Sequence, residues 1–213
     1  TQAPLGIDSL EVQVREFYKE REGIAGNIYL GLPHRLDRPV SGAIVFARHV
    51  RAARRLSAQF EDRTVDKSYW ALVEGQVTPE EGTWRDHLHK RHGMAQSIVV
   101  PADDPRGKLA ILHYRTLANT PHATWLEIEL ETGRTHQIRV QAASRGFPVV
   151  GDSQYGAMLP FGEQHSDERL RAIALHARQL NFRHPMSREQ VSVTAPVAHA
   201  WKMLGLPPEL LEY

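Results

Sequence analysis

Between residues 124 and 131 the chain alternates, with Leu126, Ile128 and Leu130 on one side and Glu127, Glu129 and Glu131 on the other. A period of two with one apolar and one charged face is the pattern of a strand in a sheet that has one dry side. Residues 67–74, 96–100 and 108–117 are rich in branched and aromatic side chains and are separated by Gly, Pro and Asp, so they read as further strands. Residues 174–182 and 190–194 extend the list, and most of the middle of the chain is therefore expected to be sheet.

Helices are expected where the period changes. Across 49–63, Val50, Ala53, Leu56 and Phe60 recur at three and four residues, which puts them on one helical face with arginines on its flanks. Thr132-Gly133 breaks the alternating strand, and 135–144 then reads as a short helix closed by Gly146 and Pro148. A short helix near 167–172 carries acidic residues in its first turn, which suits the helix dipole. A last helix is expected over 199–204, ending before Pro207. No repeat, low-complexity tract or linker interrupts this order, so residues 1–213 are expected to form one domain, large enough to bury a substantial core.

Composition removes several classes of chemistry. The chain has no cysteine, which excludes disulfides, thiolate nucleophiles, iron–sulfur clusters and cysteine-bound zinc. No apolar run approaches the roughly 18 residues that span a bilayer, and no signal layout opens the sequence. A cytoplasmic protein without a membrane partner is the expectation. The net charge of +1 is far from that of a strongly basic nucleic-acid binder. Locally, Arg48, Arg51, Arg54 and Arg55 cluster, as do Arg85, His87, His89, Lys90, Arg91 and His92, and either group is able to meet phosphates. The three histidines lack a further residue at a recognisable ligand spacing, so no metal is expected.

The most unusual stretch is His34-Arg35-Leu36-Asp37, followed by Arg38-Pro39-Val40-Ser41-Gly42 and the apolar run 43–47, which reads as a buried strand. Pro39 fixes its own φ and biases Arg38 towards an extended conformation, while Gly42 permits backbone geometry that other residues avoid. The loop is thus suited to hold Asp37 in one orientation. Taken alone, it also fits a solvated loop with a surface ion pair worth under about 1 kcal/mol.

Four later stretches change that balance. Residues 67–75 read Lys-Ser-Tyr-Trp-Ala-Leu-Val-Glu-Gly, 131–140 read Glu-Thr-Gly-Arg-Thr-His-Gln-Ile-Arg-Val, 151–156 read Gly-Asp-Ser-Gln-Tyr-Gly, and 175–185 read Leu-His-Ala-Arg-Gln-Leu-Asn-Phe-Arg-His-Pro. In this order and spacing the set resembles the RluA-type family of RNA pseudouridine synthases, from about Leu32 to about Pro196. The resemblance implies an α+β fold with a mixed, mainly antiparallel curved sheet, flanking helices and an RNA-binding cleft. It also implies an isomerase that breaks the bond from uracil N1 to the ribose, turns the base and rejoins it through C5.

Under that resemblance Asp37 matches the catalytic aspartate, Arg139 the arginine that pairs with it, and Tyr69 the active-site tyrosine that stacks on the target base. Arg35 and His34, beside Asp37, are candidates to fill the space of an extruded nucleotide, whose unstacking costs a few kcal/mol. Arg134, just before a helix start, suits an RNA phosphate. His136, Gln137, Asp152, Tyr155, His176 and Arg178 also lie in matching stretches, with His136 and Asp152 suited to bracing the loop that carries Arg139. The reaction is redox-neutral, so no cofactor is expected.

The chain departs from the family in three places. Members usually open the catalytic domain with a strand holding an Asn-Lys-Pro-like motif, which nothing before Gly31 supplies, and the first residue is Thr1 rather than Met. A trimmed N-terminal part is therefore expected, with no appended N-terminal RNA-binding domain. Gln141 stands where a histidine often follows Arg-Val. The competing reading is a noncatalytic RNA-binding or folding protein that keeps the cleft. A glycoside- or nucleoside-cleaving hydrolase would need a second cooperating carboxylate. Ribosomal and transfer RNA both remain open as partners, as do attack by Asp37 and elimination to a glycal, and a monomer is the expectation.

Overall fold

The computed structural model describes residues 9–94 and 96–204. These residues group into two compact units, one made of 9–38, 44–65 and 181–192, the other of 39–43, 66–94, 96–180 and 193–204.

The first unit carries two helices, α1 (Leu10–Glu22) and α2 (Val50–Glu61). No residue of α1 is fully buried, and local devices contribute to its order. Ser9 caps its start by accepting from the Val12 amide, Gly23 ends it in the left-handed region at φ 64°, and Glu11–Arg15 and Glu16–Lys19 pair along its surface at 2.8 Å. This helix was not legible from apolar periodicity, and among the described residues no strand precedes Gly31. In α2 the buried residues are Ala52, Ala53 and Leu56. Val50, expected on the same face, is instead 57% exposed at the helix start. Phe60 stacks on the His34 ring at a centroid separation of 4.4 Å.

Among the described residues, eight strands follow the chain order β1 (Ser41–Gly42), β2 (Asp66–Glu74), β3 (Glu81–Lys90), β4 (Ser97–Val100), β5 (Lys108–Asn119), β6 (Ala123–Leu130), β7 (Leu175–Arg183) and β8 (Gln190–Thr194). They form one mixed sheet in the order β1-β7-β2-β6-β5-β3-β4, with β8 on β7. The β2/β6, β6/β5, β5/β3 and β3/β4 pairs are antiparallel, and β1/β7 is parallel. This is an α+β architecture dominated by antiparallel pairing.

The expected strands at 67–74, 96–100, 108–117, 124–131, 174–182 and 190–194 are present within one or two residues. β3 was not expected. Its sequence Glu-Gly-Thr-Trp-Arg-Asp-His-Leu-His-Lys reads as polar, yet Trp84 and Leu88 are buried on one side while Thr83 and Arg85 are exposed on the other. The apolar run 43–47 is a correction in the other direction. Pairing with β7 ends where the Ala43 amide donates to the Ala177 carbonyl, and the Val45 amide is taken by a side chain, so only Ser41–Gly42 is strand.

The core of the second unit lies on β2, β5, β6 and β7 and is rich in tryptophan. Trp70, Trp125 and Trp201 are all buried, with Trp70 and Trp125 edge to face at 4.8 Å. Trp201 comes from α4 (His199–Lys202), the expected last helix; Pro207, expected to lie beyond its end, falls outside the described residues. The helix expected over 135–144 is α3 (Gln137–Ala143), and the one near 167–172 is a single 3₁₀ turn, Glu168–Leu170, capped by Asp167. Among the described residues no helix is long and apolar enough to cross a membrane.

Candidate active site

In the first unit, the loop before Asp37 is held by His34. The Val45 amide donates to His34 Nε2 at 3.0 Å, which requires the ring proton on Nδ1. With Phe60 stacked on its face, this histidine also has a structural task, which the motif alone does not reveal. Arg35 next to it is exposed, and Asp37 is half-buried.

The loop then enters the second unit at Pro39 and is fixed against β7. The Pro39 carbonyl accepts from the Ile173 amide at 3.1 Å, and Ser41 and Gly42 register with His176 and Ala177. Gly42 sits at φ 118°, and a Cβ there would meet the Ala177 backbone. Only glycine allows this approach. The Ser41 hydroxyl lies 2.8 Å from His176 Nδ1, and His176 Nε2 lies 3.2 Å from the Ala195 carbonyl. A proton on Nε2 satisfies both contacts, with Ser41 donating. Burial holds the His176 pKa below its ordinary value, so the ring stays neutral. Arg178, whose pKa burial also lowers, donates to the same Ala195 carbonyl and lies over the Trp70 ring at 4.3 Å.

Tyr69 is half-buried on β2, opposite Ile128 of β6. Arg139, on α3, is 3% exposed. Its Nε donates to Asp152 Oδ2 at 2.6 Å, and its Nη2 donates to Asp152 Oδ1 and to Gln154 Oε1, both at 2.8 Å. The two-point contact fixes the plane of the guanidinium. The Tyr155 ring lies 5.0 Å from the guanidinium carbon, and the Tyr155 hydroxyl accepts from the Ser97 amide at 2.9 Å and sits 3.0 Å from His136 Nδ1. Thus Gly-Asp-Ser-Gln-Tyr-Gly works as a cradle for one arginine. Asp152, expected to brace the loop around Arg139, binds its guanidinium directly, and Gln154 is a member that the motif alone does not reveal.

Arg134 is half-buried, with Nε donating to the Leu109 carbonyl at 2.9 Å, while its own amide donates to Gln137 Oε1 at 3.0 Å. Gln137 also accepts from the Thr132 hydroxyl at 2.8 Å and donates to the Ile111 carbonyl at 3.0 Å, so the turn into α3 is tied to β5. His136 adopts φ 55° at that turn. Gln141, fully buried, donates to Asp86 Oδ2 at 2.6 Å and orients the carboxylate that also binds Arg145 at 2.8 Å. The position with the unexpected side chain is therefore structural.

Of the six residues singled out in the sequence, His34, Arg35 and Asp37 belong to the first unit and Tyr69, Arg134 and Arg139 to the second. Among the described residues no three His, Asp or Glu side chains come together as a metal-holding group.

The sequence profile described as RNA pseudouridylate synthase matches residues 8–144, which include Asp37, Tyr69, Arg134 and Arg139. A Synechocystis protein named as an RNA pseudouridine synthase is 36% identical over 183 residues, 85% of this chain and 54% of that one. The ribosomal large subunit pseudouridine synthase D of Zymomonas mobilis is 34% identical over 187 residues, 85% of this chain and 57% of its own length. The chain spans about half the length of these curated relatives. Among solved structures, the human RNA pseudouridylate synthase domain containing 4 superposes with a TM-score of 0.70 at 23% identity, covering 87% of this chain and 77% of that one, a likeness of fold.

Proposed function

As this chain belongs to the RNA pseudouridylate synthase family, we propose that it isomerises uridine to pseudouridine in RNA, with Asp37 as the catalytic carboxylate. In the reaction the bond from N1 to the anomeric carbon breaks, a bond from C5 to the same carbon forms, and the C5 proton is lost as N1 gains one. Nothing is oxidised or reduced, and no outside group is transferred. Positive charge develops at the sugar or negative charge on the departing base, and an ionised carboxylate at the anomeric carbon serves either course, by attack or by assisting elimination to a glycal.

Tyr69 supplies a ring for the extruded base, and Arg139 supplies a fixed positive charge. Arg35 and Arg134 serve the RNA around the target, and His34 supports the loop that carries Asp37. The observation that supports this reading most is the match of the family profile over residues 8–144, a span that includes Asp37, Tyr69 and Arg139. Large-subunit ribosomal RNA is the first substrate class to test, because a relative is named for it; transfer RNA is the second.

Pseudouridine mapping of total RNA from cells with and without the gene tests the proposal. Loss of one or a few sites supports it and names the substrate, while binding of RNA by the purified protein with no conversion of any transcribed rRNA or tRNA would overturn it.

A further inference from the structure

Charge is unevenly divided between the two units. Over its described residues the first carries twelve Lys and Arg against eight Asp and Glu, a net of +4, whereas the second carries fourteen of each. The small net charge of the whole chain thus conceals one basic unit.

Within that unit the arginine cluster of α2 divides by task. Arg48 is committed to Glu22, with both contacts at 2.8 Å, and lies over the Tyr18 ring. Arg55 is half-buried and donates to the Pro185 carbonyl at 2.7 Å. Arg51 and Arg54 are exposed, and among the described residues no carboxylate pairs with either. Three residues apart on a helix, their side chains leave the surface as neighbours.

A second element joins them. The turn between β7 and β8 is pinned to α2 by Arg55 and by Gln59, whose Nε2 donates to the Arg183 carbonyl and whose Oε1 accepts from the Arg183 amide, both at 2.9 Å. That turn presents the exposed side chains of Arg183 and Arg188. Its one acidic residue, Glu189, accepts from the Ser187 hydroxyl at 2.8 Å, and Glu61 and Asp62 lie at the C-terminal end of α2, about two turns or more from Arg51 and Arg54 and directly before Arg63.

Backbone strain adds an independent sign. Three described non-glycine residues have positive φ, and two of them are exposed arginines of this unit, Arg63 at 58° and Arg188 at 67°. Glycine or asparagine relaxes such positions. Arginine there keeps a guanidinium where the backbone alone favours its loss.

We propose that the outer face of α2 and the β7–β8 turn form a docking surface for the phosphodiester backbone of RNA, contacted by Arg51, Arg54, Arg63, Arg183 and Arg188. It rests on the proposal that RNA is the substrate and extends it to the RNA flanking the target uridine. Phosphate contacts of this kind set register and affinity without reading sequence.

The test is the affinity of the purified protein for a generic RNA stem-loop, measured from about 50 to about 200 mM salt. Arg51→Glu/Arg54→Glu is expected to weaken binding about tenfold or more and to reduce the salt slope by roughly 2, one unit per lost phosphate contact. Arg188→Gly is expected to melt no lower than the wild type while its salt slope falls by roughly 1, a split that a structural role would not produce. Unchanged affinity and slope in both variants would overturn the proposal. So would arginine-dependent binding to phosphatidylserine vesicles with RNA affinity unaffected. A wild type that binds RNA through these arginines yet converts no uridine would leave the docking surface standing and refute the catalytic reading alone.

Discussion

The Arg139 guanidinium and the Asp152 carboxylate, both almost fully buried, share two parallel hydrogen bonds of 2.6 and 2.8 Å. Removing one partner leaves the other charge buried without compensation, which typically costs about 3–5 kcal/mol. Asp152→Asn is therefore expected to lose a large part of the folding free energy, read by urea unfolding, and to abolish conversion of uridine even where the protein remains folded. A variant as stable as the wild type would show that the pair contributes little.

Tyr155 touches the same arginine with its ring and the Ser97 amide with its hydroxyl. Tyr155→Phe keeps the ring and leaves the Ser97 amide without that acceptor, at a cost of about 1–3 kcal/mol. Tyr155→Ala removes both contacts and is expected to be clearly worse. Thermal melts of the two variants side by side separate the contributions, and equal melting temperatures would contradict the arrangement.

Gly42 ends the loop that follows Asp37, and its φ of 118° brings it against the Ala177 backbone. Gly42→Ala meets both strain and overlap, expected to cost roughly 2 kcal/mol or more. Reduced soluble yield and a lower melting temperature are the expected readouts, with Ser41→Ala as the milder neighbour.

His176 gives the protein an acid sensitivity. Its folded-state pKa is held below 6.5 by burial, so as pH falls the unfolded chain takes up that proton first. The stability linked to the neutral ring is complete above the unfolded value and is lost as pH drops through the depressed folded value. Melting temperatures measured from about pH 8 down to about pH 5 should therefore fall less steeply in His176→Gln than in the wild type. Parallel curves would contradict the linkage.

Much of this was legible in the sequence, for physical reasons. β6 was readable because its apolar and glutamate residues alternate across one dry face, and Leu126 and Ile128 are indeed fully buried. β3 escaped because charged and histidine side chains fill its open face, leaving only Trp84 and Leu88 as a sparse apolar signal. α1 escaped because none of its residues is fully buried; Ser9 and Gly23, its caps, were the available cues. In the candidate site, ordered motifs supplied Asp37, Tyr69 and Arg139, but spacing alone does not reveal that Gln154 and Tyr155 join Asp152 around one guanidinium. Nor does it reveal that Arg48 and Arg55 are tied down while Arg51 and Arg54 project to solvent, since that division depends on Glu22 and Pro185, distant in sequence.

The most direct measurement of the central claim is pseudouridine formation by purified wild type and Asp37→Asn on the RNA identified by mapping. Removing the charge while nearly preserving shape should eliminate detectable product in a protein that still folds and still binds RNA. Turnover by Asp37→Asn comparable to that of the wild type would contradict the account.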